Sequence, residues 1–385
     1  VVPPVAILAQ VVLVCVAIVM MALARFPFRS LSSAASSVLV RRFSSDAEIA
    51  SIIARTQQAF RDTPAAAAAA FSATSVQAQG LRCDVRMRQH QLTLDEPADL
   101  GRNEGPSPAE VMLMSLGTCQ EITFKAYSTA MGIALDSVAV TVRGSVDWRK
   151  AYGIVSSDPS GFTAVNTQVL VSSGADLEDL KKLQQAVNAH CPVLDMFSRN
   201  VKVVVDVACE QSTGSESHLD LAVAVQQRKN VVAANVDGQS AFSSMSILTD
   251  GLKTVARVGE HEHVIDEPED LGGTDEGPNP VELVLAGLCS SLQMTFKKLA
   301  AEAGVSVDKV VSKARGDIDL RGFFAVDDSV PAGFHIISVS VVVSSSAAAD
   351  VVEELHAKAV ERDPVMQLIS GKPPMDLGEV DVSVA

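Results

Sequence analysis

The chain has 385 residues, enough for two domains of ordinary size with extensions. Its net charge of −15 argues against a nucleic acid partner, because phosphate binding needs a basic face, and only 4% aromatic residues leave little for base stacking. The six cysteines (Cys15, Cys83, Cys119, Cys191, Cys209, Cys289) are scattered, which excludes a disulfide framework or a zinc site and fits a reducing compartment with one or two working thiols.

Residues 1–45 read as a targeting region. No acidic residue precedes Asp46, and Arg25, Arg29, Arg41 and Arg42 stand among many Ser and Ala, the composition of an organellar transit peptide. Arg41-Arg42-Phe43-Ser44 resembles a mitochondrial cleavage site, with a plastid address as the alternative. Val5 to Ala24 is apolar except for Gln10. It reads as upstream sequence before Met20-Met21, as a signal-type apolar region, or as a retained anchor. No stable membrane span is expected in the mature chain.

Next come an alanine run over 64–72, read as a linker or helix edge, and alternating strand-like residues from Val85 to Leu92. A long apolar helix follows. Ser107 is its N-cap, Pro108 its first residue, Glu110 completes a capping box, and Gly132 ends it. Strands over Val138–Gly144 and Val165–Val171, a helix over Leu177–His190 and a last strand over Val201–Val207 close the unit. Residues 210–238 open on a polar stretch and read as a linker.

The same order then repeats. Gly105-Pro106-Ser107-Pro108-Ala109-Glu110 recurs as Gly277-Pro278-Asn279-Pro280-Val281-Glu282, an offset of 172. The offset holds from Thr123-Phe124 against Thr295-Phe296 to Pro192-Val193 against Pro364-Val365. Upstream it slips by one, with Asp95-Glu96-Pro97 matching Asp266-Glu267-Pro268. A repeat this long is a duplicated α+β domain, placed at 73–209 and 239–385.

Asp95-Glu96-Pro97, Leu100-Gly101, Gly105-Pro106-Ser107-Pro108, Glu110 and Cys119, followed by His190-Cys191-Pro192-Val193-Leu194, resemble the OsmC/Ohr family. The resemblance implies thiol-dependent peroxidases that prefer organic hydroperoxides. It also implies intertwined homodimers with sites at the interface. A tandem chain would build that dimer internally, as a pseudo-dimer around two long buried helices.

Cys119 and Cys191 each read alone as small buried hydrophobes. Together they match both cysteine positions of the family, which implies a sulfenic acid–disulfide cycle. The second half has Ser291 and Asp363 at those positions, so it reads as a structural donor to the first half's site. Arg86, recurring as Arg257, would lower a thiol pKa or be merely a solvated strand charge. His90, recurring as His261, would relay protons or fill a core hydrogen bond. Glu110 lies nine residues from Cys119, about 900° around a helix and so on the opposite face. The helix is therefore interrupted, or the second half supplies the pair as Arg257 with Glu282; Arg86 stays open.

The expected function is reduction of a small organic hydroperoxide, with a lipoyl-type or thioredoxin-type dithiol as reductant and no cofactor or metal. The alternatives are a non-catalytic binder of a small hydrophobic ligand and a redox sensor.

Overall fold

The structure is a computed structural model, and it describes residues 45–77, 79–154, 160–212, 219–234, 239–371, 375–377 and 381–383. The targeting region read over 1–45 therefore falls almost wholly outside the described residues. Among these residues, no helix is long and apolar enough to cross a membrane.

The first half runs α1 (Asp46–Asp62), a 3-10 turn, β1 (Ala68–Gln77), β2 (Cys83–Met87), β3 (His90–Leu94), α2 (Pro108–Met131), β4 (Ser137–Asp147), β5 (Phe162–Ser172), α3 (Leu177–His190), α4 (Pro192–Ser198) and β6 (Lys202–Gln211). The second half repeats this as α5 (Leu219–Ala234), β7 (Gln239–Asp250), β8 (Lys253–Val258), β9 (His261–Ile265), α6 (Pro280–Glu302), β10 (Val307–Asp319), β11 (Ile336–Ser345), α7 (Ala349–Arg362), α8 (Pro364–Gly371) and the short strands β12 (Met375–Leu377) and β13 (Asp381–Ser383). This is an α+β fold of two repeated domains.

Two readings change. The alanine run is not a linker or helix edge: from Ala68 it is strand β1, paired with β10 from Ala68↔Asp319 to Gln77↔Val310. Alanine's helix preference yields because a ten-residue ladder outweighs a few tenths of a kcal/mol per residue. Residues 210–238 are more than a linker, since α5 occupies 219–234 and stands in the repeat where α1 stands in the first half. Its signal is weak because Leu219, Val223 and Val231 are exposed while Val225 and Val232 are buried, so no single stripe marks it.

Each sheet is built from both halves. One has the order β3-β2-β1-β10-β11-β6, and the other β12-β5-β4-β7-β8-β9 with β13 also on β5. β6 runs parallel to β11, and β12 and β13 run parallel to β5, so each half gives its last strand to the other's sheet.

The central helices α2 and α6 pack on each other, α2 against β4, β7 and β8, and α6 against β1, β2 and β10. Every residue from Val111 to Leu116 is fully buried. At about 1.5–3 kcal/mol per large apolar side chain, such burial is the main force fixing the helix. Both helices start with a complete capping box, Ser107 with Glu110 and Asn279 with Glu282. α2 ends at Gly132, whose φ of 71° favours glycine.

Candidate active site

The long α2 carries Cys119 midway along a buried face. Cys191 sits at the joint between α3 and α4, where Pro192 opens the new helix. This joint turns the Cys191 thiol towards α2, and its Sγ donates to Cys119 Sγ at 3.2 Å. Cys191 is fully buried and Cys119 is 4% exposed, so Cys119 is the sulfur nearer to an entering molecule.

The second half keeps this geometry with other chemistry. Ser291 Oγ donates to Asp363 Oδ2 at 2.7 Å, and Thr295 Oγ1 donates to the same oxygen at 2.9 Å. A serine–carboxylate contact thus replaces the thiol pair, and neither residue can cycle through a disulfide.

The arginines in the sequence reading do not reach the thiols. Arg86 points outward because β2 alternates, with Cys83, Val85 and Met87 turned inward. Arg257 is likewise exposed on β8 and pairs with Glu262 at 3.2 Å. The expected Arg257–Glu282 pair is therefore corrected: Glu282 is held by Arg88. Arg88 Nε donates to Glu282 Oε1 at 2.8 Å and Nη2 to Oε2 at 2.9 Å, and Arg88 also pairs with Asp275.

Arg88 opens the two-residue β2–β3 turn with φ of 49°, a conformation that favours glycine. Its counterpart in the second half is Gly259, φ 55°. Glu110 accordingly has no matching arginine; its carboxylate takes the Ser107 N–H at 2.8 Å and serves as a cap. The α2 helix is continuous, so Glu110 stays off the Cys119 face. His90 faces Asp275 at 3.0 Å and His261 faces Asn103 at 3.5 Å, so their hydrogen bonds go to the turns.

The charge near Cys119 is a carboxyl group. Burial pushes the Cys119 thiol well up, Cys191 pushes it further, the Val193 amide pulls it down, and Glu267 pushes it up again. Glu267 itself is pushed up to about 8, first by burial and then by Glu282 and Asp266, while an Asn279 hydrogen bond and Arg88 pull it back. Asn279 Nδ2 donates to Glu267 Oε2 at 3.3 Å. Beside Ser291 the equivalent Glu96, supplied by the first half, is paired with Lys298 at 2.9 Å. The residue matching Lys298 is Ala126, two helical turns from Cys119 on the same face. The Cys119 site thus takes an acidic group from the second half, without the lysine that neutralises its copy.

Arg88 and Glu267 were both missed by sequence reasoning. A search for residues shared by the halves hides Arg88, whose copy is glycine. Glu267 was visible only as part of a motif. Among the described residues, no group of three or more His, Cys, Asp or Glu could hold a metal ion.

Residues 101–206 and 273–378 each match a family model described as OsmC-like protein, together more than half of the chain. Among solved structures, an OsmC-like protein from Mycoplasma pneumoniae aligns at 20% identity over 32% of this chain and 83% of that chain, with a TM-score of 0.27. Comparison with curated proteins gives no match.

Proposed function

The chain belongs to the OsmC-like family, and on that footing we propose that its first half reduces organic hydroperoxides with the Cys119–Cys191 pair. The observation that carries this is the 3.2 Å separation of the two sulfurs, a short move from the bonded distance of about 2.05 Å.

The Cys119 sulfur attacks the terminal peroxide oxygen. The O–O bond breaks, the alcohol leaves, and Cys119 becomes a sulfenic acid. The Cys191 sulfur then attacks the Cys119 sulfur, water leaves, and the disulfide forms. A dithiol of lipoyl or thioredoxin type returns two electrons and two protons and is itself oxidised to a disulfide.

Burial keeps Cys119 protonated at rest, so attack needs a group that takes its proton. Glu267 is the candidate: pushed up to about 8, it becomes the free carboxylate as pH rises through that value, and in that form accepts the thiol proton and returns it to the alcohol oxygen. The Val193 N–H, at the start of α4, favours the charged sulfur.

The test is thiol titration with cumene hydroperoxide, then turnover with dihydrolipoamide. Two thiols per chain should disappear, with Cys119 and Cys191 linked. Cys289, pushed up to about 12 by burial, should stay reduced. Cys119→Ser should abolish peroxide consumption, and Cys191→Ser should consume one equivalent and stall. If no thiol is lost, the proposal fails and the binding-protein reading replaces it. Oxidation without turnover by any dithiol would favour a redox sensor.

A further inference from the structure

The two sites differ in how they are closed. A partly open cavity of about 60 Å³ reaches Ser291, with Trp148, Tyr152 and Lys298 in its wall. At the offset of 172, the first half has Cys119, Leu320, Phe324 and Ala126 in these places. Ala126 and Phe324 line a void of only about 20 Å³, and Cys119 is not in its wall. Aromatic rings fill the difference. Phe324 stands edge-on to Phe60 of α1 at 5.6 Å between ring centres and to Phe323 at 5.0 Å. In the second half Tyr152 packs with the smaller Val232 of α5, and Ala151 stands for Phe323.

Phe323 and Phe324 sit on the turn that follows β10, and this turn repeats the one after β4 bond for bond. The Phe324 N–H donates to Leu320 O and the Val326 N–H to Arg321 O, as Tyr152 does to Trp148 and Ile154 to Arg149. One position is less easy. Ala325 has φ of 50° where its copy is Gly153 at 68°, and a Cβ adds strain in that conformation. Three successive carbonyls of the turn are held from outside it. His190 Nδ1 donates to Gly322 O at 2.8 Å, Tyr127 Oη to Phe323 O at 2.5 Å and Gln57 Nε2 to Phe324 O at 2.8 Å. The Tyr127 and His190 rings stack at 5.2 Å. Their copies are Leu299 and Arg362, so this aromatic pair belongs to the half that carries the thiols.

We propose that the turn 320–326 is the gate of the Cys119 site, with Phe324 as its plug and Gln57, Tyr127 and His190 as its latch. Cys119, at 4% exposure, offers an entering molecule almost no surface, and Cys191 offers none. A peroxide that meets Cys119, and a dithiol that meets the later disulfide, both need the site to open. A strained turn hung on three side-chain bonds opens without breaking a strand ladder, so it is the part that yields first. The gate rests on the proposed reaction only for the identity of what passes through it.

Labelling of the full chain with N-ethylmaleimide, followed at Cys119 by peptide mass spectrometry at one pH, tests the gate. Phe324→Ala removes the plug and should raise the Cys119 rate at least about tenfold. Tyr127→Phe keeps the ring but removes one latch bond, and should raise the rate about threefold. Tyr152→Ala, the matching change in the second half, should leave the Cys119 rate within about twofold of the parent. Cys83 and Cys289 are fully buried in β2 and α6 and report unfolding. If they react in Phe324→Ala as well, that variant has lost its fold and Tyr127→Phe decides. An unchanged Cys119 rate in Tyr127→Phe, or in a folded Phe324→Ala, overturns the gate. So does an equal rise in Tyr152→Ala. Labelling needs no peroxide. A gate that responds in a chain without peroxide turnover therefore stands, and only the proposed reaction falls.

Discussion

At the scale of single residues, the network around Cys119 is settled by what differs between the halves. Glu282 is 1% exposed in its side chain, and Arg88 is its bidentate cation. Removing one partner of a buried pair leaves a charge without compensation. Arg88 is a quarter exposed and Glu282 keeps the Asn279 N–H, so the cost is moderated. Arg88→Ala should therefore lose roughly 2 kcal/mol in urea unfolding. Arg86→Ala and Arg257→Ala, on exposed strand faces, should stay within about 0.5 kcal/mol. Equal losses for all three would refute this ranking. Glu267 gives a second prediction. Its pKa is raised from about 4.5 to about 8 on folding, so the folded state binds the proton that the unfolded state has released. Its contribution to stability is therefore greatest at low pH and falls as pH rises from about 4.5 to about 8. Glu267→Gln should flatten that decline, seen in urea midpoints at both ends of the window. The same variant should slow Cys119 oxidation by about 100-fold and remove the rise in rate through pH 8. A variant with the parent's rate and pH profile would remove Glu267 from the mechanism.

At the scale of elements, two strand glycines leave the room that buried aromatic rings occupy. A Cβ on Gly144 of β4 would lie 2.3 Å from Phe162 Cε1, and one on Gly316 of β10 would lie 2.7 Å from the Phe334 ring. These are matching positions in the two halves, and both rings are fully buried. Gly144→Ala and Gly316→Ala should each cost about 1–3 kcal/mol through forced displacement of the ring. Thermal unfolding measures this, and unchanged midpoints would show that the rings can move aside. Much of the element pattern was legible. The helix at 108–131 carried its own start and stop in Ser107, Glu110 and Gly132, and Leu177–His190 had a plain amphipathic pattern. The elements that escaped depend on distant partners. β1 is alanine-rich and is a strand because β10 pairs along its whole length, with β2 on its other edge. Arg86 was chosen because it recurs, yet strand alternation turns it outward. The thiol pair was legible as a motif, while Arg88 and Glu267 enter through turns whose partners, Glu282 for Arg88 and Asn279 for Glu267, only the folded chain supplies.

At the scale of the whole molecule, the halves share their sheets. The β1–β10 and β4–β7 ladders each join one half to the other along nine or ten residue pairs, and β6 adds a parallel ladder of ten pairs with β11. The buried helices α2 and α6 also pack on each other. Neither half therefore has a closed core of its own: alone, each would expose one apolar helix face and the open edges of at least three strands, β1, β4 and β6 in the first half and β7, β10 and β11 in the second. The covalent link between β6 and α5 is thus needed to keep the halves at high local concentration during folding, and far less so once the sheets have formed. The test is a protease site inserted between Ser212 and Leu219. After cleavage of the folded chain, both fragments should elute together on size exclusion without denaturant, at the volume of the intact protein. Each half expressed alone should aggregate or self-associate through its open edges. Fragments that separate into two soluble, well-folded monomers would show that the shared ladders contribute little and that the halves fold as independent domains.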